Sequence, residues 1–485
     1  MRHMNNFHRM SKRKRQAMLF FTYGFMTLAT IGISAVCLLL ILGYRFDVTD
    51  RKIEQGGLMQ FRSTPAGASI RFDESQLGFR TPGKLDVATG SHTVTMQREG
   101  YNQWSKTVSI TAGELLWLNY ARLIPKKITT TALVTLPDGV TSALSTPDRR
   151  FVAAVGDAAR PQVHILDMRN KTAPVLRTIA IPTEQLTVAP DQSSHYAIVE
   201  WDFGSRFLLV SHTTGDITEY IRLDRTAEDG AARNITKEFN LQFRDMHFSG
   251  TSGAILYALT GGDIRKIDTN AGSVSQPLVT GVESYKLYRE NDIVFVALRA
   301  DKRIAGVYIN DKETIVRSVA SSQPMLAAIG QYYSHYYAAI TTSGGVDVIK
   351  DPVETGEAAA KVYARLAVKD HDMSWLDVSH SGRFIVSGDS HAYSLYDLET
   401  ENSYRVEFDT DGDSRMPVEW LDDFYVVSTT SGTARISEFD GQNQHDIVAA
   451  SAKQPAFLSE DGTYMYSFTT KNDASVLQAS RLILE

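Results

Sequence analysis

One cysteine, Cys37, stands among 485 residues. No disulfide can form within the chain, so its stability must come from buried apolar area, which a 43% hydrophobic content supplies. An oxidising exterior permits disulfides without requiring them, and their absence favours a prokaryotic surface over a small secreted scaffold. The twelve histidines show no HxH or HExxH spacing, so no zinc site is expected. A Gly-rich phosphate loop, a GxSxG elbow and a CxxC pair are also missing. With these gaps, no cofactor is expected.

Two further absences organise the chain. Residues 1–46 hold seven Lys or Arg and no Asp or Glu, and the 29 residues between Arg15 and Arg45 carry no charge. A helix needs only about 20 apolar residues to cross a hydrocarbon core. The run Ala17 to Gly43 is nearly twice as long as the apolar stretch of a cleaved signal peptide. Cys37 follows Ser34-Ala35-Val36 in the manner of a lipoprotein signal, but Leu38 to Leu42 continue the apolar core. A core helix of a soluble protein would not need a one-sided basic cluster. Residues 17–44 are therefore expected to be a signal-anchor helix. Residues 1–16 are expected to be a basic cytoplasmic tail, flanked at the membrane by Lys12, Arg13, Lys14 and Arg15 and held inside by them. Thr22, Thr27, Thr30 and Ser34 can bond their own helix or a neighbour, and no GxxxG marks a dimer face. Taking the seven cationic residues from the net charge of -6 leaves -13 on the extracytoplasmic part. That part lacks the basic footprint nucleic acid demands.

Residues 45–56 are polar and read as a stalk. From Gly57 to Leu123 the pattern turns to period two: His92, Val94 and Met96 alternate with Thr93, Thr95 and Gln97, and turn residues separate the runs. Ser63-Thr64-Pro65-Ala66-Gly67-Ala68-Ser69-Ile70, then Leu77-Gly78 to Thr81-Pro82, then Gly90-Ser91-His92-Thr93-Val94, then Glu99-Gly100-Tyr101 with Trp104 follow in order. In these landmarks the stretch resembles the PEGA domain. Ala66 stands where the family name has Glu, and Asp73-Glu74-Ser75 where an Asx-Gly turn is common. The resemblance implies a small β-sandwich over 57–124 with no catalytic residues, an interaction or spacer module of prokaryotic surface proteins.

Beyond Thr146 a unit of about 44 residues recurs: a turn, an apolar strand, a hairpin turn and a second strand ending in an acidic turn. First strands begin at Phe151, Tyr196, Ala254, Asp292, Tyr336, Phe384, Phe424 and Thr463. The acidic turns at Asp167, Asp216, Asp268, Asp311, Asp351, Asp397 and Asp440 are 40 to 52 residues apart. Runs of five or six residues rich in Val, Ile, Phe and Tyr suit four-stranded propeller blades and not an α-solenoid. The fold class expected is all-β with one N-terminal transmembrane helix. Residues 125–485 would form an eight-bladed β-propeller, or a seven-bladed one if the weak unit at Tyr285 to Ile309 merges with a neighbour. Turns such as Thr146-Pro147-Asp148-Arg149-Arg150-Phe151, Ala189-Pro190-Asp191 and Ser379-His380-Ser381-Gly382-Arg383-Phe384 are similar to those before the second blade strand in TolB-type and WD-repeat propellers. No unit carries the Gly-His and Trp-Asp pair of WD repeats. The last unit lacks an outer strand, and Ile128 to Leu136 is strand-like and unassigned. These two segments are expected to pair and latch the ring, since open edges invite aggregation.

Three groups are candidate sites. Asp409, Asp411 and Asp413 have the spacing of a calcium loop, but Ser414 and Trp420 occupy the sixth and twelfth positions, where an EF-hand needs Gly and Glu. A solvated loop is the expectation, with weak calcium binding as its alternative. Ser459-Glu460-Asp461-Gly462-Thr463-Tyr464 is similar to a sialidase Asp box, a structural turn, and the scattered arginines do not supply a carboxylate-binding cluster. Tyr332, Tyr333, His335, Tyr336 and Tyr337 form an aromatic cluster. On alternating strand positions Tyr333, His335 and Tyr337 would share one face, the candidate partner-binding patch, and Tyr332 and Tyr336 the other. Packing within a blade competes with that reading. Asn234-Ile235-Thr236 is a formal glycosylation sequon.

The functional expectation is a non-catalytic, single-pass surface protein that presents the PEGA module and the propeller to envelope or extracellular partners. The alternative is an extracytoplasmic hydrolase or lyase with its site at the central channel. Two carboxylates and an Arg converging at a channel mouth would favour the enzyme, and a lining of Ser, Thr and Ala the platform. Signalling inward through the short basic tail is a lesser variant.

Overall fold

The computed structural model describes residues 12–41, 44–47, 52–136, 139–156, 160–191, 193–354, 362–368, 373–389, 391–408, 419–430, 432–451, 454–472 and 474–484. It divides into two compact units, Met1–Lys126 and Lys127–Glu485.

In the first unit, α1 spans Lys12–Ile41. Its stretch Gln16–Leu39 is long and apolar enough to cross a membrane, and none of it is buried. Lys12 to Arg15 lie inside the helix, ahead of the expected start at residue 17. The hydroxyls of Thr22, Thr27 and Thr30 donate to the carbonyls of Met18, Tyr23 and Met26 at 2.7–2.9 Å. These three hydroxyls are thus satisfied within the helix itself.

Two short strands occupy the expected stalk. β1 (Tyr44–Asp47) and β2 (Lys52–Gln55) pair antiparallel, with Tyr44 opposite Gln55 and Phe46 opposite Ile53. Four-residue strands carry too little alternation to announce themselves beside so many charges.

Seven strands follow: β3 (Gly57–Thr64), β4 (Ser69–Phe72), β5 (Ser75–Arg80), β6 (Gly83–Val87), β7 (Gly90–Gln97), β8 (Trp104–Ile110) and β9 (Leu115–Arg122). They form a three-stranded sheet in the order β6-β3-β9 and a four-stranded sheet in the order β5-β4-β7-β8. Met59, Phe61 and Leu118 of the first sheet and Ile70, Val94, Met96 and Trp104 of the second are buried. Trp104 meets Tyr120 edge-on at 6.2 Å between the two sheets. The proline turns are tied together: Ser63 and Thr81 share a hydroxyl hydrogen bond of 2.6 Å, and the Ala68 amide donates to Thr81 Oγ1. The Asp73 turn is held by His92 Nδ1 and the Thr93 amide, both at 2.9 Å from its carboxylate.

Among its described residues, the second unit contains eight four-stranded antiparallel sheets. The first is Ser142–Ser145, Phe151–Val155, Gln162–Asp167 and Val175–Ala180. The next six fall within 195–234, 245–274, 282–320, 327–366, 375–407 and 419–449, so the stretch from Tyr285 to Ile309 belongs to a sheet of its own. The eighth combines Phe457–Leu458, Tyr464–Lys471 and Ala474–Arg481 with Thr130–Leu136. Thr130 lies opposite Ser480, Val134 opposite Leu477 and Leu136 opposite Ser475, with a bulge between Ala132 and Val134. This pairing is the expected latch.

Each sheet buries its apolar face against the next. Ile165 packs with Tyr196 and Ile221, Leu209 with Phe248, Leu259 with Phe295, Val307 with Ile340, and Val348 with Ile385. Phe384 stacks on Trp420 at 5.7 Å, Gln478 Nε2 donates to the Ala449 carbonyl at 2.6 Å, and Tyr466 and Leu477 pack on Val152 and Leu166 of the first sheet. The stacking order therefore returns to its start.

A repeated turn joins the first and second strands. The amide at Thr146, Ser379 or Ser459 donates to the carbonyl five residues on, and that residue's amide donates back to the hydroxyl at 3.0 Å. In the second sheet Asp202 takes this place, accepting from the Phe207 amide at 2.7 Å. This corrects the expected phase of that unit. Tyr196 lies on the innermost strand, His195–Trp201, whereas the corresponding runs elsewhere are second strands, because the true turn is Asp202 to Arg206 and not Ala189 to Asp191. Gly382, at φ 78°, is required in its turn because a Cβ there would overlap the Gln331 carbonyl of the preceding sheet.

Candidate functional site

The aromatic cluster sits on the hairpin between Ala327–Tyr332 and His335–Thr342. Tyr332 pairs directly with His335, which leaves Tyr333 and Ser334 as the two-residue turn. Directly opposed residues project to the same side. Tyr332, His335 and Tyr337 therefore share one face, Tyr336 takes the other, and Tyr333 takes neither. The expected alternation fails because the chain reverses within the cluster. Tyr337 is buried and Tyr332 half-buried in the core with the sixth sheet, and Tyr336 packs against the fourth. Each polar tip has an acidic neighbour. His335 Nδ1 lies 2.7 Å from Asp351, Tyr336 donates to Asp292 at 2.8 Å, and Tyr332 donates to Glu399. Burial, then the bond to Asp292, pushes the Tyr336 phenol up to about 12.

Tyr333 is different. It is 76% exposed at the tip, with φ 51°, a left-handed conformation that a bulky aromatic adopts at a cost. Its ring lies 4.5 Å from that of Tyr332, and its hydroxyl reaches Glu399 at 3.4 Å.

A second cluster lies on the innermost strands. His247, on Asp245–Ser249, has Nδ1 2.9 Å from Glu200 and Nε2 3.4 Å from Asp245. Burial alone would lower its pKa, but bonds to Asp245 and Glu200 raise it to about 10, so the ring is an imidazolium at neutral pH. Both ring nitrogens are donors, and neither can act as a general base. Glu200 also accepts from the Phe248 amide, and the His247 ring meets Tyr285 edge-on at 5.4 Å. Tyr285 and Lys286 line a cavity of about 230 Å³ together with Trp375 and Leu376. Across it Lys286 donates to the Leu376 carbonyl at 2.7 Å and to Asp377 at 3.1 Å. The His247–Glu200 contact cross-links neighbouring inner strands, and the Lys286 bonds reach past the fifth sheet from the fourth to the sixth. Glu419, on the innermost strand Glu419–Trp420, stands apart: burial pushes its carboxyl up to about 7.

A third group, centred on the buried His212 and Glu219, was not legible as a motif. Glu219 accepts from His212 Nδ1 at 2.8 Å, from the Thr187 amide at 2.9 Å and from Asn234 Nδ2. His212 Nε2 lies 3.0 Å from Thr214 Oγ1, and Tyr196 stacks on the ring at 4.4 Å. Asn234 is also the N-cap of the helix Ile235–Phe239. The formal sequon is thus buried and engaged, which leaves its amide no access to a glycosyl donor.

Asp409, Asp411 and Asp413 lie outside the described residues, as do the side chains of Lys12, Arg13, Lys14 and Arg15. Among the described residues, no group of three or more His, Cys, Asp or Glu is arranged to hold a metal ion.

No curated protein matches the chain. Among solved structures, U3-55K is similar at 10% identity and a TM-score of 0.40, over 73% of this chain and 98% of that one. The Cps50 (Swd1) β-propeller domain of Myceliophteria thermophila is similar at 11% and 0.37, over 72% and 99%. The WD40 repeats of RRP9 are similar at 10% and 0.38, over 74% and 100%. The family these comparisons identify occupies the first β unit, where the tied proline turns and the buried Trp104 lie: residues 57–123 match the PEGA domain.

Proposed function

We propose that the chain is a non-catalytic, single-pass membrane-anchored surface protein, with α1 as a signal anchor and a cytoplasmic N-terminus. In this reading a PEGA sandwich (57–124) and an eight-bladed propeller (125–485) stand outside the cytoplasm. The propeller is a platform for a protein or envelope polymer. The observation that carries the reading is Tyr333: a large aromatic held in an unfavourable backbone conformation and presented to solvent, where Asn or Gly would be easier. On the inner strands His247 and Glu200, and Lys286 and Asp377, are by contrast spent on one another.

A photo-crosslinking residue at position 333 of the full chain, in intact cells, is expected to capture a discrete partner. Tyr333→Asn is expected to abolish co-purification of that partner while leaving the melting temperature unchanged or higher, since Asn tolerates this conformation. Unaltered recovery of the partner with Tyr333→Asn overturns the assignment.

A hydrolase or lyase working at the inner strands is the second reading. Glu419 favours it, because a carboxyl near 7 suits a general acid. Turnover lost in Glu419→Gln and kept in Tyr333→Asn would decide for the enzyme.

A further inference from the structure

We infer that Leu115 and Trp117, on the outward face of β9, rest in the lipid headgroup layer beside the exit of α1. The inference rests on the reading of α1 as a membrane span. Leu115 and Trp117 are 42% and 46% exposed, and among the described side chains of 55–126 no other large apolar one is exposed. They stand two positions apart on one strand and so project to the same side. A sheet face turned to water ordinarily carries polar residues at such positions.

The tether decides what covers them. An extended stalk of a dozen residues would hold the module about 40 Å from the bilayer. The hairpin instead brings Gln55 opposite Tyr44, so the chain advances by about one strand spacing, roughly 5 Å, between those positions. Tyr44 itself is only three residues beyond the last residue of α1, a reach of about 11 Å at most. From Gln55 the chain passes straight to the edge in question: the Gly113 amide donates to the Gly56 carbonyl at 2.9 Å and the Leu58 amide to the Glu114 carbonyl at 2.8 Å. Leu58 lies opposite Leu115, and Gln60 lies opposite both Trp117 and Lys84. The row Lys84-Gln60-Trp117 thus sets a cation and an amphipathic indole on one face, with Gln60 between them. That pairing suits the boundary between anionic headgroups and acyl chains.

The test uses the full chain in nanodiscs whose phospholipids carry bromine either near the headgroup or deep in the acyl chains. Shallow bromine is expected to quench tryptophan fluorescence, and that quenching is expected to be lost in Trp117→Phe and kept in Leu115→Ala. Trp104, the other tryptophan of this unit, is buried and not reached. Equal quenching of the parent and Trp117→Phe in discs that contain the protein overturns the inference and leaves the anchor standing. A chain that does not enter the discs at all overturns the anchor, and the inference with it.

Discussion

Glu219→Ala is expected to destabilise the second unit by about 3–5 kcal/mol, because it strips the acceptor from three donors at once, of which His212 and Asn234 are buried. For a unit of this size that is a fall in melting temperature of about 4–7 °C, measurable by calorimetry on the full chain. Glu219→Gln keeps the shape and one acceptor and is expected to lose less. The acid limb carries a second signature. Burial pushes the Glu219 carboxyl up, but the bonds from His212, Thr187 and Asn234 outweigh it and bring the pKa down to about 2, below the ordinary value of 4.5. The folded pKa is depressed, so the stabilisation is present above the unfolded value and is lost as pH falls from about 4.5 towards 2. The parent should therefore lose stability over that window more steeply than Glu219→Gln. Parallel acid limbs for the two proteins would show that the carboxylate is not the acceptor described.

Truncation after Asn472 is expected to abolish cooperative unfolding of the second unit altogether. It removes Ala474–Arg481, the strand between Thr130–Leu136 and Tyr464–Lys471, and with it buried Leu477 and Ala479. Two strand edges and the apolar face of Val152 and Leu166 lose their cover. This exceeds what a domain with roughly 5–15 kcal/mol of total stability can absorb. Limited proteolysis should convert the truncated protein to fragments under conditions in which the parent resists. The milder Leu477→Ala should cost about 2–5 kcal/mol and keep a single transition. A truncated protein that melts like the parent would mean that the latch is dispensable.

Much of the β architecture was legible because its signals are local. Short Val-, Ile- and Tyr-rich runs between turns mark strands, and an unassigned strand at one end with a missing strand at the other predicted that the two segments pair, as Thr130–Leu136 and Ala474–Arg481 do. The phase of the second unit was misread because Asp202 does with a carboxylate what Thr146, Ser379 and Ser459 do with a hydroxyl. The Tyr333 turn was hidden because nothing in Tyr-Ser announces a left-handed residue. The groups around His247 and Glu219 were out of reach for a different reason. Glu200 and His247, like Thr187 and Glu219, are far apart in the chain, and only the stacking of sheets brings them within hydrogen-bond range.

The bond between Thr130 and Ser480 spans 350 positions. At a synthesis rate of about 5–20 residues per second, the earlier strand waits for roughly 20–70 seconds before its mate exists. During that interval the nascent protein carries a vacant edge, and its seven finished sheets have no way to seal. A cell making this chain must keep that seam from strangers until the last strand arrives.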